Sequence, residues 1–183
     1  MNIMTRISNS KSRRGAEMLE FTFALLPLLI MTFVLVDVSW AIFAKSTMAY
    51  AVRAGLRVGV TTTGAQASGT DLTTMVKTSV QRNAGGLLGR LPTDPRWQKI
   101  KVHYYQPPDP GSALPIVDVS NSANGNKPGY IMTVSIEGYS LNPLVARILG
   151  LNHGIDASGT EVGAIAADLI EPSRDLPAKG VAP

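Results

Sequence analysis

The sequence predicts an α+β protein: a long N-terminal transmembrane helix extending into a small antiparallel β-sheet domain with a second helix. Three observations predict it. Residues 21–36 carry no charge. Apolar or small residues then recur at three- and four-residue spacing through Met48, Val52, Gly55 or Leu56, and Gly59. Further on, residues 100–105 and 130–137 alternate in the period-two manner of half-buried strands. The expected organisation is a basic leader over 1–15, the long helix over 16–60, an α+β domain over 61–170 and a loose tail over 171–183.

Of 183 residues, none is cysteine, which excludes disulfides, thiolate metal sites and thiol nucleophiles. The formal net charge is +4, but Arg6, Lys11, Arg13 and Arg14 all precede Ala16, and no acid does. The remainder holds 13 basic and 13 acidic residues. A nucleic-acid-binding domain carries its surplus positive charge in the folded part, so no nucleic-acid partner is expected.

The apolar segment runs from Phe21 to Ala44, interrupted by Asp37. As a helix it is roughly 36 Å long, enough to cross a hydrocarbon core of about 30 Å. The basic leader places the N-terminus in the cytoplasm and the C-terminal domain outside the inner membrane. Pro27 removes one backbone donor and is expected to kink the helix.

Three processing outcomes compete. A secretory signal peptide cut near Ser39-Trp40-Ala41 would release a soluble domain, but the apolar run exceeds the usual length of about 7 to 15 residues. An uncleaved anchor explains the hydrophobicity but not Glu20, a carboxylate at the head of an apolar helix, which is costly in lipid and asks for a partner. The third outcome is cleavage on the cytoplasmic side, after Gly15, leaving the apolar stretch in the mature chain.

Gly15, four residues, Glu20 and Phe21 resemble the processing motif of Flp-type type IVb prepilins. Major pilins of that class have Tyr where this chain has Phe21, whereas pseudopilins accept Phe. Residues 13–60, with Glu20-Phe21, Leu25-Leu26-Pro27-Leu28-Leu29, Asp37 and Arg53-Ala54-Gly55-Leu56-Arg57, resemble the TadE-like minor pilin or pseudopilin family of the tight-adherence (Tad) system. A Leu141-Asn142-Pro143-Leu144 element adds a fainter echo. The resemblance implies a pilin-like fold and a non-enzymatic role in assembling an adhesive pilus. It also implies a mature chain starting at Ala16. The implied partners are a prepilin peptidase, the major Flp-type pilin, another pseudopilin and an inner-membrane assembly platform. Glu20 would then pair with the new Ala16 amine of its own or an adjacent subunit; the plainer reading is a hydrated headgroup-level carboxylate. For Asp37, about 25 Å further along the helix, the plain reading is a solvated interfacial residue beside Trp40, and the other is a contact with a partner helix.

Beyond the long helix, residues 61–70 read as a loop. Thr70 is the expected cap of a second helix starting at Asp71, with Leu72, Met75, Val76 and Val80 on one face and Gly85-Gly86 as its stop. Residues 91–96, with two prolines, read as a connector. Strands are expected over 100–105, 116–119, 130–137 and 155–166, and a helical turn over 142–149.

The inventory for catalysis is poor. His103, on the solvent face of a strand, and His153, in a turn, have no neighbour at metal-ligand spacing. There is no Gly-x-Ser-x-Gly elbow and no phosphate-binding glycine loop. Residues 118–126 are oxygen-rich, but their spacing fails the EF-hand pattern, leaving a surface loop. Arg90, Arg96, Lys99 and Lys101 form a basic patch around Trp97, read as a solvated face beside a core tryptophan. No enzyme activity, cofactor or metal is expected. The alternative to the pilin reading is an uncleaved bitopic envelope protein with a ligand-binding periplasmic domain.

Overall fold

A computed structural model describes residues 10–63, 69–108, 115–122, 125–141, 143, 145 and 160–171. Helix α1 spans Ser10–Thr61, 52 residues, and is roughly 78 Å long. It continues through Pro27 without interruption. Its lower part is exposed all round: from Met18 to Phe43 most large apolar side chains face outward. Among the described residues it is the one helix long and apolar enough to cross a membrane. The three hydroxyls in that stretch are satisfied within the helix. Thr22, Thr32 and Ser39 donate to the carbonyls of Met18, Leu28 and Leu35 at 2.8, 2.9 and 2.7 Å, so none is left unpaired in an apolar medium.

At Ala44 the helix changes environment. Ala44, Met48, Ala51, Val52, Gly55, Leu56 and Gly59 are buried, whereas Lys45, Arg53 and Arg57 stay exposed, the stripe that the spacing predicts. Helix α2, Leu72–Asn83, packs antiparallel against it. A methyl group on Gly55 would overlap Val80 and stand 3.2 Å from the Val76 carbonyl oxygen; one on Gly59 would overlap Met132 and crowd Val76. Small residues here let the two backbones approach closely. Asp71, not Thr70, caps α2: its Oδ2 accepts from the Thr74 amide at 2.9 Å. A carboxylate suits the positive end of the helix dipole better than a hydroxyl does. The expected stop holds, with Gly85 and Gly86 at φ of 60° and 84° after the Ala84 cap. The buried face of α2 is wider than its apolar stripe. Thr73, Lys77 and Gln81 are buried while Met75 is half-exposed, because the helix meets α1 on one side and the sheet on the other.

Four strands form one antiparallel sheet in the order β2-β1-β3-β4. They are β1 (Ile100–Gln106), β2 (Val117–Asp118), β3 (Ile131–Leu141) and β4 (Thr160–Leu169). Register places Ile100, Val102 and Tyr104 opposite Ile136, Val134 and Met132. These six side chains form the buried face of the sheet, with α1 over β3 and β4 and α2 over β1. Tyr104 is wholly enclosed; burial pushes its hydroxyl up to about 12.

The third expected strand is longer than its alternation suggested, because it passes a bulge between Ile136 and Tyr139 and continues to Leu141. The last strand runs on to Leu169, past the expected end at 166; residues 155–159 lie outside the described residues, as does most of the turn expected over 142–149. Gly163 lies inside β4. A Cβ there would be 3.3 Å from the Ile136 carbonyl oxygen, so it serves close approach to the bulge. The connector ends in a 3-10 helix, Pro95–Lys99.

The sheet lies lengthwise along α1. Met132, near the start of β3, sits at Gly59, whereas Leu141, at its end, shares a crevice with Asp37, Val38, Trp40 and Ala41. Thus β3 runs back along α1 and β4 returns beside it. Gly55→Leu is expected to destabilise the domain by about 1–3 kcal/mol, as overpacking of a close contact does. Thermal unfolding of the full chain in detergent checks it; an unchanged midpoint would refute the close α1–α2 contact.

Candidate functional site

The residues singled out at the head of α1 share one property, exposure. Gly15, Ala16, Glu20 and Phe21 all lie in the helix with their surfaces open. Ala16 and Glu20 are four residues apart and so occupy one face, a turn from each other. Glu20 makes no hydrogen bond or ion pair among the described residues.

Gly15 differs from the other glycines of α1. Glycine inside a helix costs about 1 kcal/mol relative to alanine. Gly55 and Gly59 offset that cost by close packing, but nothing lies within 4 Å of a Cβ placed on Gly15. Nor is Gly15 among the glycines with positive φ. The fold gives no reason for a glycine there.

Asp37 sits apart from these residues, at the base of the domain. It is half-buried, and its Oδ1 accepts from the Val145 amide at 3.0 Å, across 108 residues of chain. The carboxylate therefore ties the stalk to the membrane-proximal corner of its own domain, beside a crevice lined by Val38, Trp40, Ala41, Leu141, Pro143 and Val162. Trp40 stacks on Phe43 with ring centroids 5.6 Å apart. Neither simple solvation nor a partner helix is needed to account for Asp37. Only the occurrence of a carboxylate in an apolar run hinted at a partner; nothing local could name it.

Residues 118–122 are more ordered in their bonding than a plain surface loop. Ser120 is buried and its Oγ accepts from the Tyr104 amide at 2.8 Å, while the Ser120 amide donates to Asp118 at 2.8 Å. The Asp118 carboxylate also lies 3.4 Å from His103 Nδ1. His103 is therefore half-covered and partnered, not free on a solvent face. These bonds, first those from Ser120 and then His103, hold the Asp118 carboxyl below its usual range. Both oxygen partners approach the same imidazole nitrogen, so this is a clasp joining β1 to the next turn and not a nucleophile relay. His153 lies outside the described residues. Among the described residues no group of three or more His, Cys, Asp or Glu is placed to hold a metal ion.

The basic patch is largely committed to structure. Arg96 donates to both oxygens of Asp94, at 2.9 and 2.7 Å, and to the Leu87 carbonyl at 3.1 Å. Its side-chain bonds hold the Asp94 carboxyl below the usual range. Lys99 donates to the Gly138 carbonyl at the β3 bulge, and Trp97 packs against the core.

Comparison with known proteins bears on the helix. Residues 15–57 match the family of TadE-like proteins. The resemblance read from the sequence is thus found again over that segment. No curated protein and no solved structure matches the chain. The TadE-like segment begins at Gly15 and ends in the second-last turn of α1. It contains Glu20, Phe21 and Asp37 and both halves of the helix, exposed and buried.

Two outcomes are expected here. Asp37→Leu should quicken hydrogen exchange of the Val145 amide about tenfold, the equivalent of roughly 1.4 kcal/mol for a lost hydrogen bond, whereas Asp37→Asn keeps an acceptor and should change it little. Asp94 and Asp118 both have lowered folded values, so their contribution is complete above the unfolded value of about 4 and is lost as pH falls through the folded values. The unfolding midpoint should therefore hold from neutral pH to about pH 5 and drop below about pH 4, and Asp94→Asn should make that drop shallower. A variant whose midpoint falls as steeply would assign the acid sensitivity to other groups.

Proposed function

We propose that the protein is a minor pilin or pseudopilin of a Tad/Flp-type pilus, cut after Gly15 by a prepilin peptidase and non-enzymatic itself. Gly15 carries the proposal. It is a helix glycine without any packing or backbone reason inside the fold, at the position where the TadE-like match begins. A peptidase that needs a small residue before its cut supplies the missing reason.

In this reading α1 anchors the chain in the inner membrane, with the basic leader in the cytoplasm and the sheet domain in the periplasm. The domain marks it as a minor component, since Flp-type major pilins are little more than the helix. Cleavage creates an ammonium at Ala16, one turn from Glu20 on the same face. An isolated carboxylate and an isolated ammonium are each costly among apolar helices, and their pairing offsets both. A Glu20 that finds the amine of a neighbouring subunit fixes the axial register between helices. The major pilin, a second pseudopilin and the inner-membrane assembly platform are the partners this implies.

The mature N-terminus, read by mass spectrometry from native membranes, is expected at Ala16, and Gly15→Leu should retain residues 1–15. Processing of that variant at the normal position would refute the proposed cut. An intact N-terminus on the unaltered chain would instead support an uncleaved envelope anchor with a ligand-binding domain. Glu20→Ala is expected to be processed but to lose pilus assembly, measured as surface pili by electron microscopy; Glu20→Gln separates charge from size.

A further inference from the structure

We infer that the lower corner of the sheet domain is seated in the bilayer, and that the crevice between it and α1 takes the acyl chain of a phospholipid from the adjacent leaflet. The inference rests on the proposed membrane anchoring of α1 and adds a second lipid contact, made by the outer domain.

Depth selects the occupant. A hydrocarbon core of about 30 Å takes about 20 helical residues. Counted from Glu17, with Glu20 immersed, that length ends at Asp37; counted from Phe21, with Glu20 among the headgroups, it ends at Ala41. A tilt of about 20° adds roughly one residue to either count. Asp37, Val38, Trp40 and Ala41 are the α1 wall of the crevice. By either count the crevice therefore lies at the outer boundary of the hydrocarbon, where the surrounding medium is lipid.

Its chemistry suits that medium. Leu141, Pro143 and Val162 form the opposite wall, and the cleft between the two has a volume of about 250 Å³. Among its described lining residues Asp37 alone is ionisable. The Val145 amide donates to that carboxylate, which offsets part of the cost of placing it at this depth. Around the same turns Val38, Ile42 and Phe43 are 51%, 64% and 53% exposed. The apolar surface of α1 thus continues past Asp37 instead of stopping below the domain. Trp40, beside the cleft, is the kind of amphipathic aromatic that favours a membrane boundary.

Charge stands where the headgroups would be. Lys45 is exposed and lies roughly 6 Å above Ala41 along the helix. The end of α2 comes down to the same region. A methyl group on Gly85 would be 3.4 Å from the Thr47 side chain, and Thr47 is roughly 9 Å above Ala41. Arg82 and Arg90, both exposed, line one hollow there with Gly85, Gly86 and Gly89. A headgroup layer about 5–8 Å deep is within reach of such long side chains, whose stems lie along apolar surface while their charges find phosphate. A protein helix seated in the crevice would account for its apolar walls but not for three cations at phosphate height.

The absence of cysteine makes the test direct. Full-length chains carrying Met31→Cys, Pro143→Cys or Lys127→Cys are labelled with a thiol-linked fluorophore. They are reconstituted into phosphatidylcholine–phosphatidylglycerol vesicles whose acyl chains are brominated near the ester end or near the methyl end. Met31 lies midway between Phe21 and Ala41, Pro143 at the crevice, and Lys127 in the turn before β3, at the other end of the sheet. The Pro143→Cys label is expected to lose fluorescence, more to bromine near the ester end than near the methyl end. Met31→Cys should show the reverse order and Lys127→Cys no loss. Adding Ala41→Phe, which fills the crevice, should reduce the loss at Pro143→Cys and leave that at Met31→Cys unchanged. The inference is overturned if the Pro143→Cys label behaves like that at Lys127→Cys or if Ala41→Phe changes nothing. It is overturned too if the quenching disappears as the protein is concentrated in the vesicles, which would give the crevice to a second copy. Quenching at Met31→Cys with none at Pro143→Cys leaves the membrane anchoring standing; none at either overturns both.

Discussion

One helix in this protein must suit two surroundings without a break between them. Below Trp40, α1 offers apolar side chains in every direction; above Ala44 it offers one apolar stripe and a charged back. The rest of the structure depends on that change. An amphipathic helix is stable in water only when its stripe is covered, and α2 and the sheet exist to cover it. The glycines and alanines at 51, 54, 55 and 59 set how near that cover can come. Lower down the constraint is different: there, polar groups must be satisfied internally or placed where another chain can satisfy them.

Much of this was legible from local pattern. The absence of charge over 21–36, the spacing from Met48 to Gly59 and the alternation in β1 depend only on neighbours in sequence, and each became the expected element. So did the Gly85-Gly86 stop. The α+β class followed from their order. Less legible were features set by distant contacts. The bulge in β3 extended that strand beyond its alternating part, and the use of Gly163, opposite the bulge, is set by a close neighbour on another strand. The burial of Thr73 and Lys77, which lie off the apolar stripe of α2, follows from its being covered from two sides.

The site residues divide in the same way. Gly15, Glu20 and Phe21 were singled out as candidates by the spacing of a motif, and the structure contributes the observation that the fold itself makes no use of that glycine. Asp37 was noticed as an anomaly, but its partner is a backbone amide 108 residues away, which no local pattern encodes. The His103–Asp118–Ser120 clasp was missed for the same reason: strand pairing, not sequence distance, brings those groups together.

The unbroken course of α1 has a mechanical consequence. Stalk and domain are joined by continuous helix, with no linker to absorb displacement. Along its axis a helix yields only by giving up hydrogen bonds, and the Asp37–Val145 bond adds a second fastening at the base of the domain. A pull or twist applied to the greasy half is therefore delivered to the sheet almost undiminished, as through a rigid shaft. Displacing the lower half of α1 would therefore carry the sheet domain with it.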